Sequence, residues 1–108
     1  MENIRYGGAG QKTRIVLDLN HKTDFKAFMA ANPYRVVVDL PRTEFKTYKS
    51  KILNTNRLVK SYRSGDLDGG LTRVVFEIKK PVIIENAFTL PKSSLEKDRL
   101  VIDLLQSS

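Results

Sequence analysis

Slid along itself, this chain of 108 residues meets its own pattern a second time. Thr13 to Leu19 reads TRIVLDL and Thr72 to Ile78 reads TRVVFEI, while Tyr34 to Leu40 reads YRVVVDL and Asp98 to Leu104 reads DRLVIDL. KAFMA at Lys26 to Ala30 answers NAFTL at Asn86 to Leu90, and Ile4 to Tyr6 stands ahead of the first block as Tyr62 to Ser64 stands ahead of the second. The offset drifts from 58 through 60 to 64, so insertions are small, the largest near KSSLEK at Lys92 to Lys97, and loops are where a fold tolerates them. Halves of about 4–41 and 59–105, joined by a linker over 42–58, follow from this spacing. Two copies cannot make a solenoid, which needs about three or more stacked units to bury its faces, so one pseudo-symmetric domain spanning 1–108 is expected.

Within the blocks the period is two. Successive strand side chains point to opposite faces, so Ile15, Leu17 and Leu19 oppose Arg14, Val16 and Asp18. Val36, Val38 and Leu40 oppose Arg35, Val37 and Asp39 in the same way. In the second copy Val74, Phe76 and Ile78 oppose Arg73, Val75 and Glu77, and Leu100, Ile102 and Leu104 oppose Arg99, Val101 and Asp103. Each block therefore has one apolar face and one face reading arginine, valine, acid, and is rich in β-branched residues. That is the signature of a half-buried strand; a helix would smear the apolar positions around its whole cylinder.

Glycines mark the connections, with Gly7, Gly8 and Gly10 before the first TR block and Gly65, Gly69 and Gly70 before the second, both read as hairpin loops. Pro33, Pro41 and Pro81 end or interrupt the runs. The linker Arg42 to Arg57 shows no alternation and is compatible with one short helix, a turn or two, capped by Thr43. Four strands per half give eight, and a sheet with one apolar face must hide it against another layer. The expected fold is all-β, a pseudo-symmetric sandwich of two roughly four-stranded sheets arising from an internal duplication, with the twelve inward residues named above as its core.

Composition narrows the function. The absence of cysteine excludes disulfides, zinc ribbons and thiol catalysis, and the single histidine, His21, excludes any site needing two imidazoles. In the polar stretch NHKTD, His21 reads as a turn residue. No metal site and no cofactor is expected. No apolar run approaches the roughly 18 residues of a membrane-crossing helix, and the first ten residues lack the basic start and apolar centre of a signal peptide, so membrane insertion is not expected. A formal net charge of +7 favours anionic partners: nucleic acid, anionic lipid or an acidic cell-wall polymer.

No catalytic constellation stands out. The serines lack a base, and Asp66-Leu67-Asp68-Gly69 resembles a calcium loop only until its glycine falls at the wrong position. Asp18, Asp39, Glu77 and Asp103 each follow an arginine by four positions on the same face, which favours the ionised acid and opposes proton donation. What remains is a repeated surface of Arg14, Asp18, Arg35, Asp39, Arg73, Glu77, Arg99 and Asp103. Laid side by side, with Arg14, Val16 and Asp18 next to Arg35, Val37 and Asp39, these would offer guanidinium forks and carboxylates to a polymer of hydroxyls, amides and carboxylates. The plainer reading is a cross-strand charge ladder that keeps the sheet soluble and in register. Lys46, Lys49, Lys51 and Lys60, with Tyr48 and Tyr62, add charge and stacking surface. Nucleic acid is disfavoured as a partner, since an acid accompanies every arginine and the outer faces show no aromatic platform.

The doubled TR-x-V-x-[DE]-[LI] pattern, ANPYRVVVDLP at Ala31 to Pro41 and the ending RLVIDL resemble the AMIN domain over about Ile4 to Leu105. That module is typically found at the N-terminus of periplasmic N-acetylmuramoyl-L-alanine amidases and in some type IV pilus secretins. The resemblance implies a non-catalytic module that binds peptidoglycan and directs its parent to the septum of a bacterial cell, in the periplasm, the leader being absent from this chain. It also implies a separate, C-terminal, zinc-dependent catalytic domain whose histidine and glutamate ligands this chain cannot supply. The eight arginine and acid positions are those that match the family's strand motifs. The alternative role is a protein–protein docking module of a pilus secretin or division complex.

Overall fold

The repeated blocks become strands because alternation, β-branching and turn glycines all agree there. A computed structural model describes residues 3–8, 10–19, 24–32, 34–42, 58–92 and 97–107. The first half contributes β1 (Asn3–Gly7), β2 (Lys12–Asp18), β3 (Lys26–Ala30) and β4 (Arg35–Pro41). The second contributes β5 (Val59–Leu67), β6 (Leu71–Ile78), β7 (Val82–Lys92) and β8 (Lys97–Gln106). Among the described residues no helix occurs; the helical turn expected from Thr43 and the KSSLEK loop centre lie outside them, as does His21.

The strands form two antiparallel four-stranded sheets, ordered β1-β2-β8-β7 and β3-β4-β6-β5. Each half sends its first hairpin to one sheet and its second to the other. The centre of each sheet is therefore a seam between halves, β2 against β8 and β4 against β6. Exchanging the two copies turns one strand order into the other, as an internal duplication requires.

This topology corrects one expectation. Arg14, Val16 and Asp18 do not lie beside Arg35, Val37 and Asp39, because β2 and β4 belong to different sheets. All four blocks carry the same arginine-to-acid spacing, so any antiparallel pair of them satisfies the same ladder, and the pattern alone does not choose the partner.

The core lies between the sheets. All twelve predicted inward residues are buried in one cluster with Phe76 at its largest, joined by Ile4, Leu58, Val59 and Val82. Thr13 and Thr72, equivalent in the two copies, also point inward and are buried; the Thr72 hydroxyl donates to Asp66 at 3.0 Å. At about 25 cal/mol per Å² of apolar surface removed from water, each fully buried leucine or isoleucine contributes roughly 1.5–3 kcal/mol. That burial is what clamps the sheets face to face.

Glycine is required at few places. Gly8 adopts φ 107° in the β1–β2 turn, and a Cβ there would run into the carbonyl oxygen of Lys12. Gly69 and Gly70, at φ 83° and 78°, make the β5–β6 turn. Gly7 and Gly65, expected in the loops, instead end β1 and lie within β5.

Phe76→Ala is expected to lower stability by about 3–5 kcal/mol, the usual cost of emptying an aromatic site in a packed core. Gly8→Ala should destabilise as well, through backbone strain instead of lost burial. Chemical denaturation of both variants checks this; a Gly8→Ala midpoint equal to that of the parent chain would contradict the turn geometry.

Candidate functional site

Register places the arginines and acids. On the outer face of β1-β2-β8-β7, Arg14 stands opposite Asp103, Val16 opposite Val101, and Asp18 opposite Arg99. On the outer face of β3-β4-β6-β5, Arg73 stands opposite Asp39, Val75 opposite Val37, and Glu77 opposite Arg35. The eight predicted residues are thus brought together as two sets of four on opposite sides of the molecule.

The pairs are bidentate at one corner of each face. Arg14 donates to Asp103 from Nε at 2.7 Å and Nη2 at 3.0 Å. Arg73 donates to Asp39 from Nε at 2.8 Å and Nη2 at 2.9 Å. The Arg73 hydrogen bonds, aided by the positive charges of Arg73 and Lys26 and opposed by partial burial, hold the Asp39 carboxyl below its ordinary value. Both arginines are pushed further above their already high range, chiefly by the same hydrogen bonds. Burial drives Tyr6 and Tyr62 upward too. Every resolved shift carries a group farther from pH 7, keeping Asp39, Arg14 and Arg73 charged and Tyr6 and Tyr62 neutral, so these side chains act as fixed charges and fixed dipoles.

Two features escaped the sequence reading. Phe28 and Phe88 occupy equivalent outer positions on β3 and β7, directly opposite Val37 and Val101. Arg73 sits 5.7 Å from the Phe28 ring centre and Arg14 6.0 Å from that of Phe88, close enough for each cation to be attracted by the face of its ring. Under this cover Val37 and Val101, nominally outward, are 4% and 2% exposed. The outer faces, expected to show no aromatic platform, each carry one phenylalanine among the described residues, and each ring is capped by its arginine. The signal was present, since KAFMA and NAFTL hold their phenylalanine at the same place.

The second feature is an arginine on each leading strand, Arg5 and Arg63, at equivalent positions opposite Val16 and Val75. Arg5 donates from Nε and Nη2 to Asp18, both at 3.0 Å, and Arg99 reaches the same carboxylate at 3.3 Å. On the other face Glu77 is held by Lys60 at 3.2 Å. Asp66, from the calcium-like stretch, is taken up by Arg42 at 2.9 Å and by Thr72. Of the lysine and tyrosine cluster, Lys60 and Tyr62 are described and lie on β5; Lys46, Tyr48, Lys49 and Lys51 fall outside the described residues.

The family model of the AMIN domain matches residues 3–106. The chain belongs to the AMIN family. It is 33% identical over 105 residues to the N-acetylmuramoyl-L-alanine amidase AmiC of Escherichia coli O6:H1, an alignment covering 94% of this chain and 25% of that protein. It is 29% identical over 96 residues to the amidase AmiC of Neisseria meningitidis serogroup B, covering 85% of this chain and 23% of the relative. This AMIN domain thus spans about a quarter of the length of the curated relatives it matches. In AMIN terms, the duplicated arginine–valine–acid blocks are the two central strands of each sheet, and the phenylalanines belong to the flanking strands.

Because Asp39 is held below its unfolded value, its contribution to stability is present above about pH 4 and disappears as pH falls through the depressed folded value. Arg73→Gln is expected to destabilise only modestly at pH 7, the effect kept small by solvent around a guanidinium that is 40% exposed. In thermal unfolding the difference between parent and variant should shrink as pH falls through that depressed value, leaving what the Phe28 contact supplies. A difference that persists undiminished in acid would mean that Arg73 stabilises by packing and not through Asp39.

Proposed function

We propose that this AMIN domain is a non-catalytic peptidoglycan-binding module that holds a parent cell-wall amidase on its substrate at the septum, in the bacterial periplasm. The observation that carries the reading is the pair of outer faces on which guanidinium groups are fixed by carboxylates and backed by phenylalanine rings. A bidentate pair occupies two of an arginine's five N–H donors and leaves the rest turned outward. Such a face meets a polymer of hydroxyls, amides and carboxylates with preset donors and acceptors, and little entropy is lost on binding because the arginines are already ordered.

The relatives' names supply the context. An N-acetylmuramoyl-L-alanine amidase acts at the bond joining glycan to peptide, and this chain corresponds to a quarter of such a protein. A wall-binding module tethered to a hydrolytic domain raises the local substrate concentration without touching the scissile bond. Those names also favour the amidase setting over a docking role in a pilus secretin.

Incubated with insoluble purified sacculi at about 150 mM salt, the domain should sediment with the wall, whereas a lysine-rich control protein of similar net charge stays in the supernatant. Partial release by higher salt is expected from the charged contacts. Domain left wholly in the supernatant alongside the control would overturn the reading.

A further inference from the structure

The two outer faces are pseudo-symmetric in backbone and differ in how their cations are held. On β1-β2-β8-β7 Arg5 and Arg99 meet Asp18, Arg14 meets Asp103, and Lys12 meets Glu85 at 3.4 Å. On β3-β4-β6-β5 the described cations are Lys26, Arg35, Lys60, Arg63 and Arg73, and the described carboxylates opposite them are Asp39 and Glu77. Arg73 takes Asp39, and Lys60 takes Glu77. Arg63, the counterpart of Arg5, is exposed and has no ion pair or hydrogen bond among the described residues.

Arg63 borders a groove. With Arg35 and Arg73 it lines an open depression of about 350 Å³ whose accessible apolar lining is the half-buried Val75 and Leu67, Val37 lying beneath. Gly65 lies beside Arg73 on that face, and a Cβ built there would meet nothing within 4 Å, so the absence of a side chain keeps the depression clear. The one carboxylate on its rim, Asp66, is already engaged by Arg42 and Thr72. Three guanidinium groups around an apolar floor, with Glu77, the counterpart of the acid that holds Arg5, engaged by Lys60 instead, form a receptor for an anion carried on a chain of partly apolar character.

We infer that the β3-β4-β6-β5 face is the ligand-bearing face of this domain and that Arg63 receives a free carboxylate of the wall's stem peptide, the glycan making no essential contact there. This rests on the peptidoglycan reading above and narrows it to one face and one part of the polymer. The bond named for the relatives divides that polymer into a glycan strand and a peptide that begins at L-alanine and ends in a carboxylate; of the two parts, the peptide carries alanyl methyl groups for the apolar lining of Val75 and Leu67 and a planar anion for a guanidinium fork.

Arg63→Gln and the charge-matched control Lys80→Gln, at an exposed position after β6 that does not line the groove, are compared with the parent domain in three assays. These are retention on intact sacculi, titration with the soluble stem peptide followed by NMR, and titration with glycan strands stripped of peptide. Arg63→Gln should weaken sacculus retention and peptide binding by roughly tenfold, the loss expected for one charge-assisted bidentate contact, with thermal stability within about a degree of the parent because no internal partner is lost. Amide shifts on peptide addition should fall on β5, β6 and β4, and Lys80→Gln should behave as the parent. Failure of the parent to sediment with sacculi would overturn the peptidoglycan reading itself. A parent that sediments while Arg63→Gln is retained equally well, an equal loss in Arg5→Gln on the opposite face, or tighter binding of bare glycan than of peptide, would overturn this inference and leave the general reading standing.

Discussion

Two seams hold this molecule together, β2 against β8 and β4 against β6, and in each the strands come from different halves of the duplication. A two-stranded hairpin alone is marginal in water, whereas four strands with a shared apolar face are not. Each half supplies two such hairpins and no complete sheet, so neither half has a sheet centre without the other. The antiparallel seam also decides the surface. It sets the arginine end of one block against the acid end of the next, which is how four arginines and four acids become cross-strand neighbours instead of like charges facing each other.

Much of this could be read directly from residues. Ile15, Leu17, Val36, Val38, Val74, Phe76, Leu100 and Ile102 alternate cleanly and are all fully buried, because a period of two with one apolar face admits a single arrangement. The pairing of strands was not readable, since TRIVLDL, YRVVVDL, TRVVFEI and DRLVIDL are interchangeable as ladder partners. Val37 and Val101 misled for a different reason: alternation assigns them to the outer face, correctly, but says nothing of a phenylalanine on the neighbouring strand that covers them. Burial there is a property of three strands at once, and no single-strand pattern contains it. Arg5 and Arg63 were hidden in leading strands, NIRYG and VKSYRSGDL, that do not alternate cleanly between apolar and polar residues.

A charge ladder and a binding surface need not be rival descriptions of the same arginines. Fixing Arg14 on Asp103 and Arg73 on Asp39 removes the rotamer freedom that a long side chain would otherwise lose on meeting a ligand. The phenylalanine beneath each guanidinium fixes its plane as well. The same pairing lowers the net field of the face, so a fully paired face presents orientation without much attraction. Attraction then depends on whichever cation the ladder leaves over.

The bulges decide which cation that is. Each edge strand of the second half carries an irregularity, between Val59 and Ser61 in β5 and between Ile84 and Asn86 in β7. A bulge inserts one residue that the ladder does not pair and re-aims its side chain. In β7 that residue is Glu85, which meets Lys12 and adds a third acid beside Asp18 and Asp103. In β5 it is Lys60, which meets Glu77 and draws away the acid whose counterpart, Asp18, holds Arg5. One extra residue in each of two strands thus adds an acid to one face and a cation to the other. A duplication that begins as two equal surfaces acquires two different patterns of charge pairing in this way, at no cost to the twelve core positions that both copies share.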